Sequence, residues 1–116
     1  MLKVYAYAKC DTCRKALKFL RDRNIRFEEF AIRKTPPTAS ELEAMLKARG
    51  NMRSLFNTSG AEYRAVGLSE KFAEISEAEA LGLLAKNGNL IKRPFLTGDD
   101  VNLVGFNELE WRAAFA

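Results

Sequence analysis

Two cysteines, Cys10 and Cys13, stand three residues apart in the segment VYAYAKCDTCRKALKFL, and they are the whole cysteine complement of the 116-residue chain. A thiol reacts as its thiolate, which is favoured at a helix N-terminus and beside cations. Cys10 lies where an alternating apolar run gives way to a helical pattern, with Lys9, Arg14 and Lys15 adjacent in sequence. It is expected to be the exposed, readily ionised sulfur, supported by the backbone N–H groups of Asp11, Thr12 and Cys13. Cys13 falls one turn later on the apolar face and is expected to be more buried and less acidic. Two intervening residues allow a disulfide across the first turn. Cys10 would attack a disulfide or oxidised substrate, and Cys13 would resolve the mixed disulfide. The competing reading of Cys13 is an inert core residue. An intramolecular zinc site needs further ligands, and the chain has no histidine and no third cysteine, so no metal is expected.

The elements that must position this pair can be read along the chain. Leu2, Val4 and Ala6 alternate with Lys3, Tyr5 and Tyr7, the period of a strand. From Asp11 the period becomes helical, with Cys13, Ala16, Leu17 and Leu20 on one face and Asn24 as the stop. Residues 25–32 read as a second strand, parallel to the first. After KTPPT, residues 40–50 read as a helix with a Ser40–Glu43 capping box and a terminal Gly50. MRSLFN suggests a short helix and residues 58–68 a loop. Residues 76–88 suggest another helix, capped by Ser76 and Glu79, burying Ala80, Leu81, Leu83 and Leu84, and stopped by Gly88. Residues 89–106 read as two strands around a Gly98-Asp99-Asp100 turn, and Asn107 caps a final helix. The order predicts one α/β domain spanning residues 1–116. It is a thioredoxin-like mixed sheet with helices on both faces and a helical sub-region, about 35–88, inserted between the β-α-β and β-β-α halves. Tyr5, Tyr7 and Trp111 read as packing residues.

Hydrophobic residues make up 47% and charged residues 29%, an ordinary balance for one core. No apolar run approaches the roughly 20 residues of a membrane span, and the N-terminus lacks the apolar core of a signal peptide. A cytoplasmic protein is expected, where a C-x-x-C serves redox or metal chemistry rather than structure. The net charge of +4 is concentrated toward the cysteines, since residues 1–34 hold ten Lys/Arg against four Asp/Glu. That field would favour anionic partners. Dense basic blocks interleaved with aromatics are missing, so nucleic-acid binding is not expected.

A second constellation is LIKRPFL, residues 90–96. In thioredoxin-like folds a cis-proline before the third strand faces the cysteine loop. If Pro94 plays that part, Arg93 projects beside Cys10, where a guanidinium would support a thiolate and bind an oxyanion or carboxylate. The alternative is an ordinary surface arginine.

The segments YAYAKCDTCRKALKFL, PPTASELEAML, RSLFNTSGAEYRAVGL and NLIKRPFLTGDDVNLVGFNELEW together resemble the arsenate reductase/Spx (ArsC-like) family of the thioredoxin superfamily, over nearly the whole chain. The resemblance implies that Cys10 is the nucleophile, that Arg93 holds an anion, and that Pro94 is cis. Cys13 matches the second cysteine of Spx-type members. Arsenate reductases of this group use two further arginines, and Asn57 and Gly105 stand at those positions here, with Arg53 nearby but out of register. The implied function is a thiol–disulfide oxidoreductase, a monomer with no bound cofactor. It would use glutathione or a glutaredoxin-like reductant as co-substrate, with Arg93, Pro94, Asp11 and Thr12 contacting the small thiol or anionic partner. Two alternatives follow from the same resemblance. One is a redox-responsive regulator binding the RNA polymerase α subunit, and the other is a glutaredoxin-dependent arsenate reductase.

Overall fold

The computed structural model describes residues 1–65, 67 and 74–116. Residues 66 and 68–73, which fall in the stretches read as loop and helical sub-region, lie outside the described residues. Strand β1 (Leu2–Ala6) leads into helix α1 (Asp11–Asp22) and strand β2 (Phe27–Ala31). Helix α2 (Ala39–Arg49), a 3-10 turn (Met52–Leu55), helix α3 (Ala61–Ala65) and helix α4 (Glu77–Lys86) form the inserted region. A second 3-10 turn (Gly88–Leu90) leads to strands β3 (Phe95–Gly98) and β4 (Val101–Val104), and helix α5 (Glu108–Ala114) follows.

The sheet order is β2-β1-β3-β4, with β2 parallel to β1 and both other pairings antiparallel. The expected mixed sheet is therefore present. Side-chain alternation splits the core between its faces. Leu2, Val4, Ala6, Leu96 and Leu103 pack with the buried face of α1 and with Trp111 of α5. Tyr5, Phe95 and Val104 point the other way, into Leu42, Met45, Leu55 and Leu84 of the inserted region. The β3–β4 hairpin turns through Asp99 (φ 50°) and Asp100 (φ 63°), the paired left-handed residues of a tight hairpin turn.

Several local expectations shift. The loop assigned to residues 58–68 contains α3, and the strand read over 25–32 is paired over Phe27–Ala31. Leu83 is exposed and Leu81 half-buried, whereas Ala80 and Leu84 are buried as expected. Gly88 is not the helix stop, because α4 ends at Lys86 with Asn87 as its cap. Gly88 instead permits close packing: a Cβ there would stand 1.9 Å from the Ile32 carbonyl oxygen, a distance no side chain tolerates.

The capping box of α2 is Thr38–Glu41, two residues before the Ser40–Glu43 pair. Glu41 does more than cap. It accepts the Thr38 N–H at 2.9 Å and the Tyr5 hydroxyl at 2.7 Å, and pairs with Lys3 at 3.3 Å, joining α2 to β1. Burial works against the Glu41 charge, but the Thr38 amide, the Tyr5 hydroxyl and Lys3 outweigh it and hold the carboxyl below its ordinary value of 4.5. Its folded-state pKa being depressed, its contribution is present at neutral pH and is lost as pH falls through that lowered value. Glu41→Ala should cost about 2 kcal/mol at pH 7, since it also strands the Tyr5 hydroxyl. Urea unfolding across pH should show the gap from wild type narrowing below about pH 4. A constant gap down to pH 2 would contradict this assignment.

Candidate active site

Cys10 is the N-cap of α1, and its backbone is extended (φ −99°, ψ 117°) before the helix begins. Its sulfur accepts the Cys13 N–H at 3.4 Å, so an otherwise unpaired first-turn donor points at the thiol. Cys10 is half-buried rather than fully exposed, and Cys13 is completely buried. Both cysteines are free thiols. Burial pushes the Cys13 thiol up to about 12. A hydrogen bond to the Cys10 sulfur and the nearness of that group add to the rise, while a Tyr7 backbone hydrogen bond and the positive charge of Arg93 oppose it. The two sulfurs thus lie in direct electrostatic contact and differ in access.

Cys10 opens into a cavity of about 480 Å³ that it shares with Tyr7, Lys9, Thr12, Lys92 and Arg93. Phe56 and Phe106 supply apolar walls, and Asn57, Thr58 and Ser59 line the side formed by the inserted region. The Arg93–Pro94 peptide is cis, as expected. Nη1 of Arg93 is the buried side-chain nitrogen that has no hydrogen-bond partner among the described residues. The guanidinium sits 5.1 Å from the Tyr7 ring centroid. A desolvated donor left open beside a thiol suits an anionic ligand.

The structure sorts the remaining sequence expectations. Thr12 lines the cavity, but Asp11 does not: its carboxylate is turned to Arg14 at 2.9 Å. Arg14 also donates to the Ala8 carbonyl at 3.1 Å, so it braces the loop before α1 and does not face the thiol cavity. Lys15 lines a different depression beside Phe19 and Phe106. Pro94 is buried and shapes the chain without lining the cavity. Asn57 and Gly105, singled out by the resemblance, both face the cavity.

Tyr7 and Lys92 are among the cavity residues that the sequence does not single out. Tyr7, read as packing, is half-buried with the Arg33 and Arg93 guanidiniums at 4.9 and 5.1 Å from its ring. Lys92 lies against Gly105, and a Cβ at that left-handed position (φ 68°) would meet its side chain at 2.8 Å. The signal for Lys92 was its place beside Arg93 in LIKRPFL. No local pattern marked Tyr7, whose cationic neighbours come from distant segments. Among the described residues no group of His, Cys, Asp and Glu side chains could hold a metal ion, and no helix is long and apolar enough to cross a membrane.

Comparison with known proteins agrees with this geometry. The model of the ArsC family matches residues 5–114. An ArsC-family-related protein from Bacteroides fragilis superposes with a TM-score of 0.90 at 38% identity, over 97% of this chain and 95% of the other. The chain is 42% identical to the uncharacterized protein YusI of Bacillus subtilis, over 99% and 98% of the two sequences. It is 28% identical to the global transcriptional regulator Spx of Streptococcus mutans, over 97% of this chain and 82% of that protein.

Proposed function

The chain belongs to the ArsC family, and from that premise we propose that it is a cytoplasmic thiol–disulfide oxidoreductase that uses a soluble thiol such as glutathione. The observation that carries this reading is the pairing of a cavity-facing Cys10 sulfur at a helix start with a buried Cys13 thiol directly behind it. The Cys10 thiolate attacks one sulfur of a disulfide RS–SR. A Cys10–SR bond forms, and RS⁻ leaves to take up a proton. The Cys13 thiolate then attacks the Cys10 sulfur, releasing the second RS⁻ and closing a Cys10–Cys13 disulfide. Two thiol molecules reduce that disulfide and are themselves oxidised to one disulfide, which balances the cycle. Arg93, Lys92 and Lys9 supply positive charge to the leaving thiolate and to anionic groups of the partner. The test is steady-state turnover of bis(2-hydroxyethyl) disulfide with glutathione as reductant, and single-turnover reduction of oxidised glutathione by the reduced protein. Wild-type protein should reduce both through Cys10, and inertness toward both would remove the proposal.

The high-lying Cys13 thiol sets a pH dependence. At neutral pH few Cys13 thiols are ionised, so capture of the mixed disulfide is slow. Capture should accelerate about tenfold per pH unit between pH 7 and 9, because the thiolate fraction rises in proportion. Forming the Cys10–SR bond removes the neighbouring sulfur's own contribution to the rise, while Arg93 continues to oppose it. Quenched-flow mass spectrometry should find the Cys10 adduct decaying to the internal disulfide with a rate constant that climbs steeply from about pH 7 to pH 9. A decay constant that does not change over that range would contradict the assignment.

The C-x-x-C and the 28% identity to Spx favour a second reading, a redox-responsive regulator that acts by binding the α subunit of RNA polymerase. Binding of the reduced protein to the isolated C-terminal domain of that α subunit, with poor turnover in the assay above, would select it. Arsenate reduction is disfavoured by Asn57 and Gly105 in the cavity wall, which leave Arg93 as its lining guanidinium for a doubly charged oxyanion.

A further inference from the structure

The charged lining of the Cys10 cavity is Lys9, Lys92 and Arg93, and no described carboxylate shares it. Lys92 is exposed and forms no ion pair with a described residue, so its ammonium is uncommitted. Arg93 beside it carries the buried, unpartnered Nη1. The course of the Lys92 side chain is set by Gly105. The Gly105 N–H donates to the Pro94 carbonyl at 2.9 Å, and its own carbonyl accepts the Trp111 indole N–H at 3.1 Å. The Lys92 N–H donates to the Leu55 carbonyl at 2.8 Å. Both backbones are therefore pinned. A Cβ at residue 105 would stand 2.8 Å from Lys92 Cε and 3.7 Å from its Nζ. The part free to yield is the flexible end of the Lys92 side chain.

We infer that Lys92, kept in the cavity wall by the missing Cβ of Gly105, is a specificity residue for S-sulfonates, R–S–SO3⁻, whose anionic leaving group it receives together with Arg93. This rests on the thiol-exchange reading above and deepens it by naming a substrate class with the negative charge bonded to the attacked sulfur. A neutral disulfide brings no charge to that place before its bond breaks. The sulfonate enters with a single charge, which suits one ammonium and one desolvated guanidinium. It leaves with a second, so the cations act more strongly on the transition state than on the bound substrate. The Cys10 thiolate attacks the sulfur that bears R. The bond from that sulfur to the sulfonate breaks, its electron pair leaves with sulfite, SO3²⁻, and a Cys10–SR disulfide forms. The Cys13 thiolate then releases RS⁻ and closes the Cys10–Cys13 disulfide. The cysteine pair gives up two electrons, and the S-sulfonate is reduced to a thiol and sulfite.

The experiment sets S-(2-hydroxyethyl) thiosulfate against bis(2-hydroxyethyl) disulfide, each reacting once with the reduced full chain. Attack on either leaves the same hydroxyethyl adduct on Cys10, so the pair differs only in the leaving group. Quenched-flow mass spectrometry gives both rate constants, and a sulfite assay confirms the first. The ratio of S-sulfonate to disulfide rate constants should exceed that of dithiothreitol in solution by at least about fivefold. Lys92→Ala should lower the ratio about fivefold, as loss of a charge-assisted contact does, and Lys92→Arg should recover most of it. Added salt should lower it as well. Gly105→Ala should lower it as far as Lys92→Ala does and change nothing more in the double variant, a coupling that a general disturbance of the loop would not produce. A wild-type ratio no higher than that of dithiothreitol, a ratio unmoved by Lys92→Ala, or a further fall in the double variant would each overturn the inference. The inference and the proposed function fail separately. Glutathione-driven turnover of the disulfide without the S-sulfonate preference removes the inference alone. A Lys92-dependent preference in a protein that does not cycle with glutathione leaves the inference standing and removes the glutathione-linked function.

Discussion

Replacing Cys10 by serine lowers disulfide turnover by at least about 1,000-fold, because a hydroxyl at neutral pH is neither ionised nor a substitute for sulfur in a mixed disulfide. Stability should move the other way. Residue 10 is the N-cap of α1, and its side chain accepts the Cys13 amide at 3.4 Å. Serine is a preferred residue at an N-cap and accepts that bond through oxygen. Cys10→Ser should therefore melt no lower than wild type while losing its chemistry, which separates a catalytic loss from a folding defect. Steady-state turnover and a thermal melt on the same preparation check both halves. Turnover within about tenfold of wild type would show that the chemistry does not run through this sulfur.

Trp111→Ala should be among the most damaging changes to the fold, at about 4 kcal/mol. Trp111 is completely buried beneath the sheet. Its ring meets Phe106 at 5.0 Å, Phe19 at 5.9 Å and Phe115 at 6.3 Å between centroids. These contacts tie α5 to α1, the helix that begins at Cys10. The indole N–H donates to the Gly105 carbonyl at 3.1 Å, fixing a backbone segment that lines the thiol cavity. Truncation leaves a large void and an unpaired buried carbonyl together. Denaturant unfolding should show the loss in the midpoint, and a cost under about 1 kcal/mol would mean that the cluster is not the anchor described.

Much of this architecture can be read locally, and the exceptions share a cause. The change from period two to a helical period marks β1 and α1, and places both cysteines at the junction. Asn107 and the Gly98-Asp99-Asp100 turn are equally local signals. The start of α2 is different. Thr38-Ala39-Ser40-Glu41 and Ser40-Glu41-Leu42-Glu43 offer the same capping spacing, and local rules do not choose between them. The choice is made by Tyr5 and Lys3 of β1, both of which engage Glu41. Gly88 has the local signature of a helix stop, but its place is set by the close approach to the Ile32 backbone. The site divides in the same way. Cys10, Cys13, Thr12 and Arg93 were legible from the helix start and from the Arg-Pro step. Tyr7 acquires its role from Arg33 and Arg93, which tertiary folding brings to it. Arg14 looked like a neighbour of the thiol, yet its side chain is committed to Ala8 and Asp11.

The most direct measurement is peptide-mapped mass spectrometry of the reduced protein after exposure to oxidised glutathione at pH 8.5, with wild type and Cys13→Ala side by side. Attack by Cys10 and capture by Cys13 predict a wild-type product two hydrogens lighter, its two cysteines joined, and a variant carrying one stable glutathione on Cys10. An untouched Cys10 in both proteins, or an adduct confined to Cys13 in wild type, would contradict the account at its centre.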